Sequence, residues 1–250
     1  MPVIEHESAL RLGVFLGVLV LMSSLEALAP RRERRRARKE RWTLHMGLAA
    51  VGGAAGRLLA PVGAVAAATY AEQRGWGLLH QVPWTLWAEG LAAFVFLDLA
   101  VYAQHFMSHR WGWLWRLHRL HHEDVDLDAT SGVRFHPMEI AVSVLWKALV
   151  VIALGASAPA VVIFEIALNA SSTFHHANLK LPAPVDGALR LLVVTPDMHR
   201  VHHSIIAHES RRNFGFAITL WDRLFRTYQS QPAAGHVGMV LGVDDGPVED

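Results

Sequence analysis

An apolar run, ALRLGVFLGVLVLMSSLEALA at residues 9–29, leads into RRERRRARKER at residues 31–41, where eight of eleven residues are basic. As a helix the run can cross about 30 Å of hydrocarbon. Lipid leaves a spanning segment only two forms, a helix or a closed barrel. The positive charge follows the apolar core instead of preceding it, which favours an uncleaved first span over a signal peptide. The positive-inside rule puts the basic loop in the cytoplasm. There it acts as a topology determinant against anionic headgroups, and no nucleic-acid partner is expected. Glu26, close to the end of the run, can reach the interface.

Further apolar blocks follow, and they explain the composition. Hydrophobic residues make up 52% of the 250, charged residues 18%, against about 25% charged in a soluble domain. Mean hydropathy is +0.26. Residues 42–71 form a Gly- and Ala-rich block, interrupted near Arg57 and Pro61, and residues 72–82 read as a loop on the outer face. Pro83 starts a third span, apolar to about Gln104 except for Glu89 and Asp98. Residues 123–137 are a polar loop. Residues 139–174, with Gly155 and Pro159 near the centre, suit two spans joined by a tight turn. The expectation is an all-α integral membrane bundle of about four spans with a histidine-rich cap for two metals on its cytoplasmic side. Residues 1–41 carry the first helix and basic loop, residues 42–228 the remaining spans and the histidine-rich part, and residues 229–250 a disordered tail. Residues 213–228 read as an amphipathic stretch on the membrane surface. Cysteine is absent, which excludes disulfides, Cys-ligated zinc, iron–sulfur clusters and a thiol nucleophile.

Eleven of the sixteen histidines lie between His105 and His203. His105 and His109 stand four apart. His118, His121 and His122 follow at spacings of three and one. MHRVHH at 198–203 repeats LHRLHH at 117–122, adding His199, His202 and His203. Positions i, i+3 and i+4 share a helix face, so each group can aim two or three imidazoles at one point. Imidazole suits iron, zinc and copper. Eight candidate ligands exceed what one tetrahedral ion takes, so two ions fit better. At this level three readings stay open: iron activating O2, a two-zinc membrane hydrolase, and a non-catalytic metal-binding or transport protein. Glu123, Asp124 and Asp197 stand near the boxes as further candidate ligands. Asp98, two helical turns before His105, is placed to accept a hydrogen bond from a ligand's second ring nitrogen. His6, His45, His80 and His236 read as incidental, and His208 as exposed.

The order Asp98, Tyr102, His105-x3-His109, Leu114-Trp115-Arg116, His118-x2-His121-His122, Arg134-x-His136-Pro137, His176-x-Asn178, His199-x2-His202-His203 and Trp221-Asp222-Arg223-Leu224-Phe225 resembles the fatty acid hydroxylase/sterol desaturase superfamily over roughly residues 42–228. The resemblance implies a membrane-embedded non-haem di-iron oxygenase that hydroxylates or desaturates a membrane lipid, using O2 as co-substrate. It implies two Fe ions, with zinc able to replace them in overexpressed protein. Their ligands would be His105, His109, His118, His121, His122, His176, His199, His202 and His203. His176 is preferred because His175 stands where members often carry a non-ligand. Asp98, His136 and Asn178 are the expected supporting neighbours. No haem- or flavin-binding segment accompanies the boxes, so a separate donor protein, cytochrome b5- or ferredoxin-like, is expected to supply electrons. Phe106 stands where members often have Arg, and Arg226 where Gly is usual.

Overall fold

The computed structural model describes residues 6–244, and the regular elements among them are helical, with three isolated bridges besides. α1 (Glu7–Leu28) runs toward the basic segment and α2 (Arg38–Leu58) runs back from it. A 3-10 turn at Ala60–Val62 then leads into α3 (Ala64–Arg74), and the segment Ala60–Gln81 is bent by 57° from α2. The break falls at Pro61, which has no N–H to continue a helix. Next come α4 (Leu86–Ser108), α5 (Gly112–His122), α6 (Pro137–Leu154) and α7 (Ala158–His176). α1, α4 and α6 are each long and apolar enough to cross a membrane, and the bent pair makes a fourth candidate span. The chain is thus an all-helical, multi-pass membrane protein. Leu12, Val20, Leu149 and Ile163 stand more than half exposed on the outer faces of the helices, as lipid-facing positions should.

α6 and α7 form the centre. α1 lies along α7, α2 along α6, and α3 and α4 touch both. Leu97 and Val101 of α4 pack with Val151 and Leu154 of α6 and with Val161 and Phe164 of α7, and the alanines of α3 let it approach closely. Lipid is as apolar as these side chains, so close packing and dispersion hold this core together. The α6–α7 turn has one strict requirement. Gly155 sits at φ +72° and Gly77 at φ +109°, and a Cβ on Gly77 would lie 2.2 Å from the Gly155 nitrogen. Only glycine allows both the backbone conformation and the approach.

Some boundaries move. The third span begins at Leu86, with Thr85 as its N-cap and Pro83 outside it. Residues 72–74 still belong to α3, and a 3-10 turn occupies Leu78–Gln81.

The polar end of the bundle departs further from expectation. Glu26 does not reach the interface; it is fully buried. Its Oε1 accepts from Arg34 at 3.1 Å and Arg38 at 2.9 Å, and its Oε2 from the N–H groups of Ala129 and Asn178 at 3.0 Å each. Arg41 is buried too. It donates to Asp124, Asp128, the Asp126 carbonyl and Ser131 Oγ in the loop that leads to the 3-10 turn Ala129–Val133. The basic segment therefore clamps α1 to the α5–α6 connection, because a buried charge must be paired.

Beyond α7 come α8 (Ala183–Leu189), α9 (Pro196–His202), α10 (Ala207–Ser210) and α11 (Leu220–Leu224). Residues 213–228 are not one surface helix: a loop precedes α11, and Phe214, Trp221 and Asp222 are buried. The tail is ordered over residues 229–244. α12 (Gly235–Gly238) precedes Met239 and Leu241, which bury against Leu127, and Val240 O accepts from Ile205 N at 3.1 Å. Order here comes from backbone pairing and two apolar anchors, neither of which needs sequence periodicity. Residues 245–250 of that expected tail lie outside the described residues.

Candidate metal centre

α4 ends on His105 and His109, α5 ends on His118, His121 and His122, α7 ends on His176, and α9 with its C-cap supplies His199, His202 and His203. All four helix ends converge. Two groups result, each with its candidate donor atoms within 4.8 Å of one another. One is His105, His109, His118, His122 and His202; the other is His121, His176, His199 and His203. His109 is half-buried and the other eight are buried. The groups adjoin, with the His122 and His203 rings stacked 4.4 Å apart.

Each His-x2-His-His box is split between the groups. His118 and His122 go one way and His121 the other; His199 and His203 go one way and His202 the other. On a helix, i and i+4 nearly overlap in projection, whereas i+3 and i+4 diverge by about 100°. The repeat in the sequence is thus a device for serving two neighbouring points from one short helix.

The hydrogen bonds decide which ring nitrogens remain free. His105 Nδ1 meets Phe214 O at 2.9 Å, His121 Nδ1 meets Arg134 O at 3.2 Å, His176 Nδ1 meets Ser172 O at 2.7 Å, and His202 Nδ1 meets Arg212 O at 2.8 Å. A carbonyl only accepts, so each Nδ1 carries the proton and each Nε2 is a bare lone pair. The Nε2 atoms of His105, His109 and His202 are buried without a hydrogen-bond partner. The Nε2 atoms of His121 and His176 face each other at 3.0 Å. Two acceptors cannot hydrogen-bond, and their juxtaposition is favourable only around a cation. The donor set therefore fits metal ions that take imidazole. Burial, then repulsion between neighbouring imidazoles, pushes His121, His122, His199 and His203 well below the usual histidine range; His202 is pushed down in the same way. They are neutral at pH 7 and need lose no proton to bind metal.

Support for the rings comes from residues outside the histidine boxes. Glu139, at the start of α6, accepts from His118 Nδ1 at 2.7 Å. Asp222 accepts from the N–H groups of Phe214 and Gly215 at 2.8 and 2.7 Å, and Asn213 donates to Met198 O at 2.8 Å. Asp98 takes no histidine proton. Its oxygens accept from Ala217 N, Ile218 N and Trp221 Nε1. It therefore acts one step removed, holding the loop whose Phe214 carbonyl pins His105. His136 caps α6, its Nδ1 accepting from Met138 N. Asn178 binds the backbone N–H and C=O of Arg32 and so anchors the basic segment. His175 stands beside the second group, its ring 4.0 Å from that of His199, with Nδ1 on Phe216 O. The nearby carboxylates are engaged elsewhere: Asp124 with Arg41, Asp197 with Arg31 and Arg200, Glu123 with Arg119. His45 and His236, which read as incidental in the sequence, lie inside the fold. Both are buried, and His45 Nδ1 meets Thr130 Oγ1 at 2.8 Å. His208 is exposed.

A family model described as Fatty acid hydroxylase matches residues 90–227, which contain every histidine of both groups. The chain belongs to the fatty acid hydroxylase family. Among curated relatives, it is 27% identical to ornithine lipid hydroxylase OlsE of Rhizobium tropici over 149 residues, covering 60% of this chain and 44% of that protein. It is 25% identical to alkylglycerol monooxygenase of Homo sapiens over 155 residues, 61% of this chain and 33% of that one. With the Xenopus tropicalis alkylglycerol monooxygenase the figures are 28% over 149 residues, 58% and 31%. The matches thus span less than half the length of these relatives. No solved structure matches the chain.

In this fatty acid hydroxylase family member a cavity of about 640 Å³ between the helices reaches the histidines, touching His105 and His118. Its walls come from α1, α2, α4, α6 and α7, with Phe15, Leu48, Ile140 and Leu168 among the apolar lining residues. α1 rests on α7 and α2 on α6, and these two make no extended contact with each other.

Proposed function

We propose that this protein is an O2-dependent di-iron hydroxylase or desaturase. It acts on a C–H bond of a membrane lipid that is sterol-, fatty acyl- or carotenoid-like, and a separate cytochrome b5- or ferredoxin-like protein donates the electrons. The observation that carries this reading is the pair of buried Nε2 atoms of His121 and His176, 3.0 Å apart, each opposite an Nδ1 that meets a backbone carbonyl. In it His105, His109, His118, His122 and His202 hold one iron, and His121, His176, His199 and His203 hold the other. The irons, when bound, supply O2 activation and the oxidising strength that an unactivated C–H bond demands. The protein's own residues do the rest. Backbone carbonyls and Glu139 keep protons on Nδ1 of His105, His118, His121, His176 and His202, so that Nε2 is the donor. Burial of the rings excludes water from the reacting centre. The cavity offers a lipid chain a path to His105 and His118. The lipid-acting names of the relatives support a lipid substrate. The basic segment lies at the histidine end, tied to Asp197 by Arg31 at 2.9 Å, which supports a cytoplasmic site by the positive-inside rule.

Protein made aerobically with ample iron is expected to carry two irons per chain and to insert isotopic oxygen from labelled O2 into a cellular lipid, or to desaturate it only when O2 is present. His203→Ala is expected to lose iron and turnover while still inserting in the membrane. Two tightly held zinc ions together with O2-independent hydrolysis would overturn the proposal.

A further inference from the structure

The cavity changes character along its length. At the histidine end it is bounded by Ser108, Glu139 and Ser172; at the other end three cations line it, Arg11 of α1, Arg57 of α2 and Lys147 of α6. Glu139 touches His118, and Lys147 lies eight residues further along α6, about 12 Å away at 1.5 Å per residue. Arg11 is close to the start of α1 and Arg57 close to the end of α2, both remote from the helix ends that carry the histidines.

Two carboxylates stand behind these cations. Glu7 and Glu165 each pair with Arg11 at 2.8 Å, and Glu165 also pairs with Lys147. Neither carboxylate lines the cavity, so the cations face it. The Arg57 side chain has no ion-pair or hydrogen-bond partner among the described residues. Three cations against two carboxylates leave one positive charge in excess, that of Arg57. A ligand that brings an oxyanion would satisfy it through charge-assisted hydrogen bonds.

We propose that this end of the cavity is an acidic-headgroup site. The ligand is an amphiphile whose carboxylate or phosphate head rests on Arg11, Arg57 and Lys147. Its chain runs past Gly52 and Gly53 of α2 toward His105 and His118. It reaches the cavity sideways from the bilayer, between α1 and α2, where the two helices do not close on each other. The distance from the cations to the imidazoles then sets which carbon, counted from the head, lies at the histidines. The inference rests on the reading above for what happens to that carbon, but binding itself needs no metal.

The test uses the full chain, stripped of metal, in nanodiscs of zwitterionic phosphatidylcholine at a pH where fatty acid is ionised. The probes are stearic acid carrying a spin label near its terminal methyl, and the methyl ester of the same molecule. The immobilised fraction in the electron paramagnetic resonance spectrum reports binding. The acid is expected to bind at least about tenfold more tightly than the ester, the worth of one hydrogen bond to a charged group. Lys147→Gln and Arg57→Gln are each expected to bring the acid toward the ester, and Lys147→Arg to retain the preference. Lys147→Gln leaves Glu165 with one partner fewer, so Arg57→Gln, an unpaired and exposed side chain, is the variant that keeps the fold. Equal binding of acid and ester overturns the proposal, as does an undiminished preference in both Gln variants with unchanged circular dichroism. Displacement of the acid by inorganic phosphate at equal concentration would make this a site for free anions and would also overturn it. Iron content is measured separately, so protein that holds no iron yet prefers the acid sinks the di-iron reading and leaves this inference standing.

Discussion

The contact between Glu139 and His118 shows what single residues do at this centre. Glu139 Oε1 accepts the His118 Nδ1 proton at 2.7 Å, while its Oε2 is buried without a partner. A carboxylate there fixes the tautomer and makes Nε2 a better donor. Glu139→Gln keeps the shape and an acceptor oxygen but removes the charge. It is expected to weaken metal retention by about tenfold, read by titrating the purified protein with a chelator; unchanged retention would assign Glu139 to packing alone. The histidines themselves are legible in the sequence because i, i+3 and i+4 spacing needs only local geometry. Glu139 is not, because it meets His118 across a loop and from a different helix. The same holds for Asp222, which stands in a quoted motif without any local sign that it accepts from Phe214 and Gly215.

Among the elements, the basic segment carries two roles at once. Its charge count is a topology signal, and its side chains are structural pins. Arg41 Nη2 meets Asp124 Oδ2 at 2.7 Å and Ser131 Oγ at 3.1 Å, and its Nη1 meets Asp128. Burial alone would raise the Asp128 carboxyl, but Arg41 and the bonds from Thr130 and Trp42 outweigh it and hold it below the usual range. Arg41→Ala leaves two buried carboxylates short of their cation, and it is expected to cost about 3–5 kcal/mol, measured by unfolding in detergent. Arg36→Ala, on an exposed neighbour, is expected to change stability by about 0.5 kcal/mol or less. The pinned loop leads to the 3-10 turn Ala129–Val133, where a Cβ on Gly132 would lie 2.8 Å from Ser172 O. Ser172 is the residue whose carbonyl holds His176. A charge run near a membrane helix thus reaches a candidate ligand through one loop and one glycine, a connection no linear pattern encodes.

For the whole molecule, two measurements bear on how the parts act together. Burial first, and neighbouring imidazoles second, depress His121, His122, His199 and His203. Below about pH 6.5 the unfolded chain takes up protons that the folded one refuses. Stability of the metal-free protein is therefore expected to be level above that pH and to fall as pH drops beneath it. Thermal midpoints measured against pH check this, and a flat profile down to pH 5 would contradict it. The absence of cysteine makes topology directly testable. Gln73→Cys and His208→Cys, exposed at opposite ends of the bundle, are expected to react from opposite sides of the membrane with an impermeant maleimide, His208→Cys only after the cytoplasmic face is opened. By itself the sequence determined the class of fold, through spans, a break at Pro61 and a turn at Gly155, and it determined the imidazole-rich chemistry, because hydrophobic length and helical spacing are local properties. The tertiary structure alone decided how the boxes divide into two groups, which nitrogens stay bare, where Asp98 and Glu26 spend their charges, and that three cations line the far end of the cavity. Those outcomes depend on which helix ends meet, and long-range packing, not periodicity, brings them together.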